Sequence, residues 1–239
     1  MLAFFAALNF FLFPVLFLLS PLVLGFADLN GVAQVALTGG IGAATGGLVM
    51  LVWGGPRHRR MRAVLFGTLG IAVAAVLTGL RPNLLLIGAG AFGMYAALAI
   101  VNGVYNTIIQ TKVPARVHGR VFALNQMVAQ STLPLGWGLV APAAARIAEP
   151  MLLADGVLAG TVGVVLGVGP GRGHGLLYVL FGLCIAVTAL LSLAAPVLSR
   201  FDDEVPDAPP DDLVGIEERR ARAAGSVEPQ PVPAGREVG

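Results

Sequence analysis

Charge is scarce in this chain of 239 residues. Charged residues make up 12% and apolar residues 56%, and the mean hydropathy is +0.84. Soluble domains carry about 25% charged residues, so an ordinary cytosolic enzyme is excluded. From residue 2 to residue 25 there is no charge at all. The first 200 residues hold three carboxylates, Asp28, Glu149 and Asp155. Cysteine is scarcer still: Cys184 stands alone, which rules out an intrachain disulfide framework and leaves the redox compartment unread. The three histidines, His58, His118 and His174, have no metal-ligand spacing and no Cys, Asp or Glu cluster around them. No Ser–His–Asp set is apparent, so the chain does not read as an enzyme, and no cofactor or metal is expected.

What is abundant is long apolar runs. A helix rises about 1.5 Å per residue, so about 20 apolar residues cross a hydrocarbon core of about 30 Å. Six runs of that kind are expected at about 3–25, 31–54, 62–80, 84–109, 119–147 and 176–198. The predicted fold is all-α, a polytopic bundle of six transmembrane helices over residues 1–200. The first run has no basic residue before it, and its first charge, Asp28, comes after it, so it reads as a span rather than a cleaved signal. Residues 152–169 are also apolar, but they contain Asp155 and five glycines between Pro150 and Pro170. They read as a loop or re-entrant piece rather than a seventh span. Residues 201–239 differ from all of this, with ten Asp/Glu against four Arg and six prolines. That acidic, Pro-rich tail buries too little apolar surface to offset ordering entropy and is expected to be disordered.

Loop charges set the expected orientation. Arg57, Arg59, Arg60 and Arg62 lie between the second and third runs, and Lys112, Arg116 and Arg120 between the fourth and fifth. One Arg at mid-membrane costs roughly 2.5–3.5 kcal/mol, so such clusters stay outside the core. Both loops fall on one side, which is the cytoplasmic side by the positive-inside rule. The expectation is a multi-pass protein of the plasma (inner) membrane with both termini and the tail in the cytoplasm. Its partners are the lipid bilayer and a small molecule, with no nucleic acid.

Polar groups inside a membrane helix need partners or water. The fourth run carries Asn102, Tyr105 and Asn106 at i, i+3 and i+4, hence on one face. The fifth carries Gln126 and Gln130, and the first carries Asn9. These six residues are expected to line an aqueous pathway. The third and sixth runs are nearly bare of polar residues and are expected to face lipid. Gly42 and Gly46 form a GxxxG that lets two backbones approach. Pro134 and Pro142 are expected kinks or hinges. Gly88, Gly90 and Gly93 form a literal GxGxxG, but the run continues apolar and the next acid is Glu149, so a dinucleotide turn is not the reading.

The order of several short strings resembles a known family. Val52-Trp53-Gly54-Gly55-Pro56-Arg57, with Arg59 and Arg60, is similar to a cytoplasmic loop of major facilitator superfamily exporters. The branch is the one that includes macrolide efflux proteins and enterobactin exporters. Gln110-Thr111-Lys112-Val113-Pro114, then Gly119-Arg120-Val121-Phe122-Ala123, resembles that branch's loop into its eleventh helix. Pro142, Arg146, Glu149 and Pro150, then Gly169-Pro170-Gly171, complete the pattern over about residues 4–200. The resemblance implies that the six runs are the C-terminal half of a twelve-helix fold with a central cavity. It implies efflux of bulky drug-like or siderophore-like molecules, as in multidrug or macrolide resistance, by alternating access. The driving reaction would be that of an antiporter. It also implies a complementary N-terminal half, supplied by another chain, a second copy or a longer product. Two departures stand out: Ala145 precedes Arg146 where relatives often have an acid, and the basic loop lacks the acid of the common loop motif. The alternative reading is a non-transporting membrane fragment or accessory membrane module.

Overall fold

A computed structural model describes residues 2–56, 58–113, 117–131, 134 and 140–195. Arg57, Arg116, Trp137 and the tail 201–239 lie outside the described residues. Among those described the chain is helical throughout, with no strand. The helices are α1 (Leu2–Leu24), α2 (Leu29–Trp53), α3 (Arg60–Leu80), α4 (Leu84–Lys112), α5 (His118–Ser131) and α6 (Arg172–Ala194). Five of them, all but α5, are long and apolar enough to cross a membrane.

The helix ends follow from local chemistry. Asp28 caps α2, its carboxylate accepting the Gly31 amide at 3.0 Å. Asn83 caps α4 in the same way, accepting from Leu85 N and Leu86 N at 2.9 and 3.3 Å. Each satisfies amide groups that a helix start leaves without an internal partner. α2 ends at Gly54, whose left-handed backbone (φ 70°) lets its amide return to Met50 O at 2.8 Å. Glycine adopts that conformation without the Cβ penalty, which explains the Trp53-Gly54-Gly55-Pro56 string.

Asp28 lies between α1 and α2, and its bond from the Gly31 amide holds its carboxyl below the usual carboxylate range. A depressed folded value means the cap stabilises above the ordinary carboxylate pKa and is lost as pH falls through the lower folded one. The Gly31 amide resonance should therefore titrate with a midpoint below 3.8. In Asp28→Asn the cap should persist and that titration should vanish; a Gly31 midpoint at or above the free-carboxylate value would contradict the cap.

Packing centres on α3, which lies between α4 and α6. Its most apolar stretch is 50% buried, against 22% for α2. Thr68 and Thr78 are fully buried and return their hydroxyls to Val64 O and Ala74 O, both at 2.8 Å. The lipid-facing role expected for the third run thus shrinks to one stripe, Phe66, Val73 and Leu77. Absence of polar side chains marked apolar contact, and that contact is mostly with other helices. α6 does expose a broad apolar stripe of Leu183, Val187, Leu190 and Leu191. α1 turns Leu8, Leu12, Val15, Leu18 and Leu22 inward, against α6 in part.

Glycines set the close approaches. Gly42 and Gly46 of α2 lie against the α4 backbone at Phe92 and Ala96, where any Cβ would collide. Gly39 faces the Tyr95 ring. Gly88, Gly90 and Gly93 sit in mid-α4, where Gly88 meets Thr38 and Gly90 meets Thr78. They are packing positions in a continuous helix, not a phosphate-binding turn.

The described residues of the fifth run are helical, with residues 132–133 and 135–139 outside the description. α5 has 14 residues, Pro134 is helical, and Ala141–Ala143 is helical too. The helix then widens into a π-helical turn at Ala144–Ala148, before Glu149–Met151. Pro142, with no amide hydrogen to give, stands two residues before the widened turn, a usual setting for a local break in the hydrogen-bond ladder. Residues 152–169 fold into turns and one short helix, Val162–Leu166, closed by Gly169 N to Leu152 O at 3.0 Å.

Candidate functional site

α1, α4 and α5 line an open cavity of about 340 Å³. Five of the six residues expected on a pathway line it: Asn9, Asn102, Tyr105, Asn106 and Gln126. The i, i+3, i+4 spacing of residues 102, 105 and 106 brings them to one wall. Gln130, one turn further along α5, is exposed and outside this lining. The apolar part of the wall is Phe5, Leu8, Leu12, Phe13, Leu98 and Phe122.

Each polar group has a definite setting. Asn9 donates its amide NH₂ to Phe5 O of its own helix at 2.8 Å, which leaves the side-chain carbonyl oxygen for the cavity. The Tyr105 hydroxyl donates to Asn125 Oδ1 at 3.0 Å, tying α4 to α5. The Tyr105 ring stacks on Phe5 of α1, with ring centres 3.4 Å apart and planes tilted by 32°. Tyr105 therefore joins all three helices. Asn102 and Asn106 are exposed on the cavity wall.

Asn125 was not singled out from the sequence, although Phe122, Asn125 and Gln126 repeat the i, i+3, i+4 pattern on α5. Among the described residues lining the cavity there is no charged side chain. The wall offers carboxamides, a phenol and aromatic faces. That combination suits a neutral ligand carrying both hydrogen-bonding groups and apolar bulk. Nothing in it compensates a full charge.

The basic loops gather at one end of the bundle. Arg59 opens α3 in a left-handed conformation (φ 56°) and is exposed. Arg60 donates Nε to Pro56 O at 3.3 Å and Nη1 to Thr111 Oγ1 at 2.9 Å, which ties the α2–α3 connection to the end of α4. Arg62 and Lys112 lie at the same end, half-buried, and Arg120 is exposed at the start of α5.

A second polar cluster sits at the opposite end. Glu149 accepts the Gly171 and Gly173 amides at the start of α6, the second at 2.9 Å, and its Oε2 lies 3.4 Å from His174 Nδ1. Arg172 beside it is buried, donating Nη1 to Leu166 O at 2.9 Å. Its charge interacts favourably with Glu149. The sequence marked Glu149 only as part of a resemblance string, because backbone donors leave no residue-type signal.

Among the described residues no group of His, Cys, Asp and Glu could hold a metal ion. Comparison with known proteins returns no match: no family model, curated protein or solved structure fits the chain.

Proposed function

We propose that this chain is half of a membrane exporter of the major facilitator type, working with a complementary half by alternating access. The observation that carries the reading is the cavity, where residues from three helices converge on uncharged hydrogen-bonding groups. Transporter sites of this kind lie between helix bundles that rock against each other. A volume of about 340 Å³ is at the small end of ligand sites, roughly 300–1,000 Å³, as suits one wall of a site completed by a second half. In this reading all six runs span the inner membrane, and the Arg59–Arg62 end and both termini are cytoplasmic. Pro134 and Pro142 serve as hinges of the fifth span. The ligand is a neutral, bulky, partly apolar compound. Asn9, Asn102, Asn106, Asn125 and Gln126 meet its polar groups, and Tyr105 positions the three helices.

Two measurements test this. Purified chain in nanodiscs should bind chloramphenicol, an uncharged drug, by equilibrium dialysis. Since a hydrogen bond contributes about 1 kcal/mol, the Asn102→Leu/Asn106→Leu double variant should bind roughly tenfold more weakly or worse. In an efflux-deficient bacterium the chain with its complementary half should lower chloramphenicol accumulation, and the double variant should restore it. Equal accumulation in cells with and without the pair would sink the exporter reading. Fluorescent-protein fusions at both termini should fluoresce in the cytoplasm, and a dark fusion would refute the orientation.

A further inference from the structure

The three carboxylates of the described residues, Asp28 at the start of α2, Glu149 at the start of α6 and Asp155 in the loop before α6, share one end with Arg81, Arg146 and Arg172. The other end carries Arg59, Arg60, Arg62, Lys112 and Arg120, with His58 exposed beside them. Among the described residues that end holds no carboxylate.

The chain itself carries a segment of the opposite sign. Between Phe201 and Asp212 there are six acids, Asp202, Asp203, Glu204, Asp207, Asp211 and Asp212, and no Lys, Arg or His. α6 ends level with the basic end. Gly79 of α3 meets Gly175 of α6, and Gly182 meets Ala72 and Val76, so the two helices run antiparallel in contact. Continued at equal rise, the last turn of α6 is level with the first turn of α3, where Arg60 and Arg62 sit. Asp202 is seven residues past Ala195, a reach of up to about 24 Å when extended. Packed helices are about 8–10 Å apart, so α3 and then α4 are within that reach.

We propose that residues 202–212 dock on the basic end formed by Arg59, Arg60, Arg62, Lys112 and Arg120. The occupant is this chain's own acidic segment. Tethering holds it at a high effective concentration, and the contact weakens as salt screens it. The docking does not depend on what the cavity carries. If the cavity is a transport site, the docked segment lies near it, because its lining on α4 ends at Asn106, within two turns of Lys112.

Lys112 is the chain's one lysine, which makes the test specific. The full chain is placed in nanodiscs of neutral phosphatidylcholine. A water-soluble carbodiimide should join Lys112 Nζ to a carboxylate within residues 202–212, located by peptide mass spectrometry. Acetylation of Lys112 by a sulfosuccinimidyl ester should be slowed about fivefold at low salt relative to 0.5 M NaCl. That protection should vanish in a variant with all six acids changed to Asn or Gln, which alters no described residue. Arg59→Gln/Arg120→Gln should reduce the cross-link. Equal acetylation rates in the wild type and the six-acid variant overturn the proposal. So does protection that requires phosphatidylglycerol and ignores the tail acids, which would make lipid headgroups the occupant. Neither result bears on chloramphenicol binding, so the two proposals fail separately.

Discussion

Gly46→Leu should destabilise the bundle severely, whereas Gly47→Leu, one residue away on the same helix, should be tolerated. A side chain at Gly46 runs into the Ala96 backbone of α4, whereas a Cβ at Gly47 meets nothing within 4 Å. The obstacle at Gly46 is a carbonyl in a neighbouring helix, which cannot change rotamer, so α2 and α4 must separate along their length. Overpacking of ordinary side-chain contacts costs about 1–3 kcal/mol, and a backbone obstacle belongs at the upper end or beyond. At Gly47 the only change is local: glycine is roughly 1 kcal/mol worse than alanine in a helix interior, so a side chain there is neutral or slightly favourable. Cys184 is the single cysteine and is only partly exposed on α6, so a thiol-reactive fluorophore reports unfolding in detergent. Gly46→Leu should lower the midpoint by roughly 6–12 °C and Gly47→Leu by little or nothing. Gly42→Leu, facing Phe92, should behave like Gly46→Leu. Comparable midpoints for the 46 and 47 variants would mean that α2 does not meet α4 through this stripe.

That pair of residues shows where sequence reasoning reaches its limit. The GxxxG at Gly42 and Gly46 signals close approach of some helix, and the structure supplies which one. Gly47 belongs to the same glycine-rich run and has the opposite environment. Helix existence is legible because spanning length and apolarity are properties of one stretch of chain. The runs expected at 3–25, 31–54, 62–80 and 84–109 lie over α1 to α4, with ends set by Asp28, Gly54 and Asn83. The run at 119–147 shows why continuity is harder to read. Apolarity persists through it, but Pro142 removes a donor and a π-helical turn follows, so helical geometry is not uniform where hydropathy is.

The cavity was partly legible for the same reason. Asn102, Tyr105 and Asn106 share a face by spacing alone, and that face is a cavity wall. Tyr105's partners were not legible. Asn125 is 20 residues away and Phe5 lies on α1, and only packing brings them to one phenol. The bareness of the third run misled in the other direction. Apolar surface is equally suited to lipid and to neighbouring helices, and α3 uses most of it for helices.

Glu149→Ala should cost about as much as the Gly46 collision, and for an electrostatic reason. The Glu149 carboxylate accepts two amides at the start of α6, and Arg172 beside it is buried. Truncation leaves those amides without their acceptor and removes a favourable charge interaction with the guanidinium. A hydrogen bond to a charged group contributes about 1.5–3 kcal/mol. Glu149 keeps about a fifth of its side-chain exposure (21%), which screens part of that interaction. The expected loss is roughly 3 kcal/mol, a midpoint drop of roughly 6–12 °C read at Cys184 of the same helix. Glu149→Gln retains an acceptor and loses the charge, so it should fall between. Asp155→Ala removes an exposed carboxylate from the adjoining loop and should leave the midpoint unchanged. Amide exchange should localise the effect, with Gly171 and Gly173 losing protection in Glu149→Ala while Gly31, capped by Asp28, keeps its own. Equal midpoints for Glu149→Ala and Asp155→Ala would remove Glu149 from the role of cap and return α6 to being held by its apolar contacts with α1 and α3 alone.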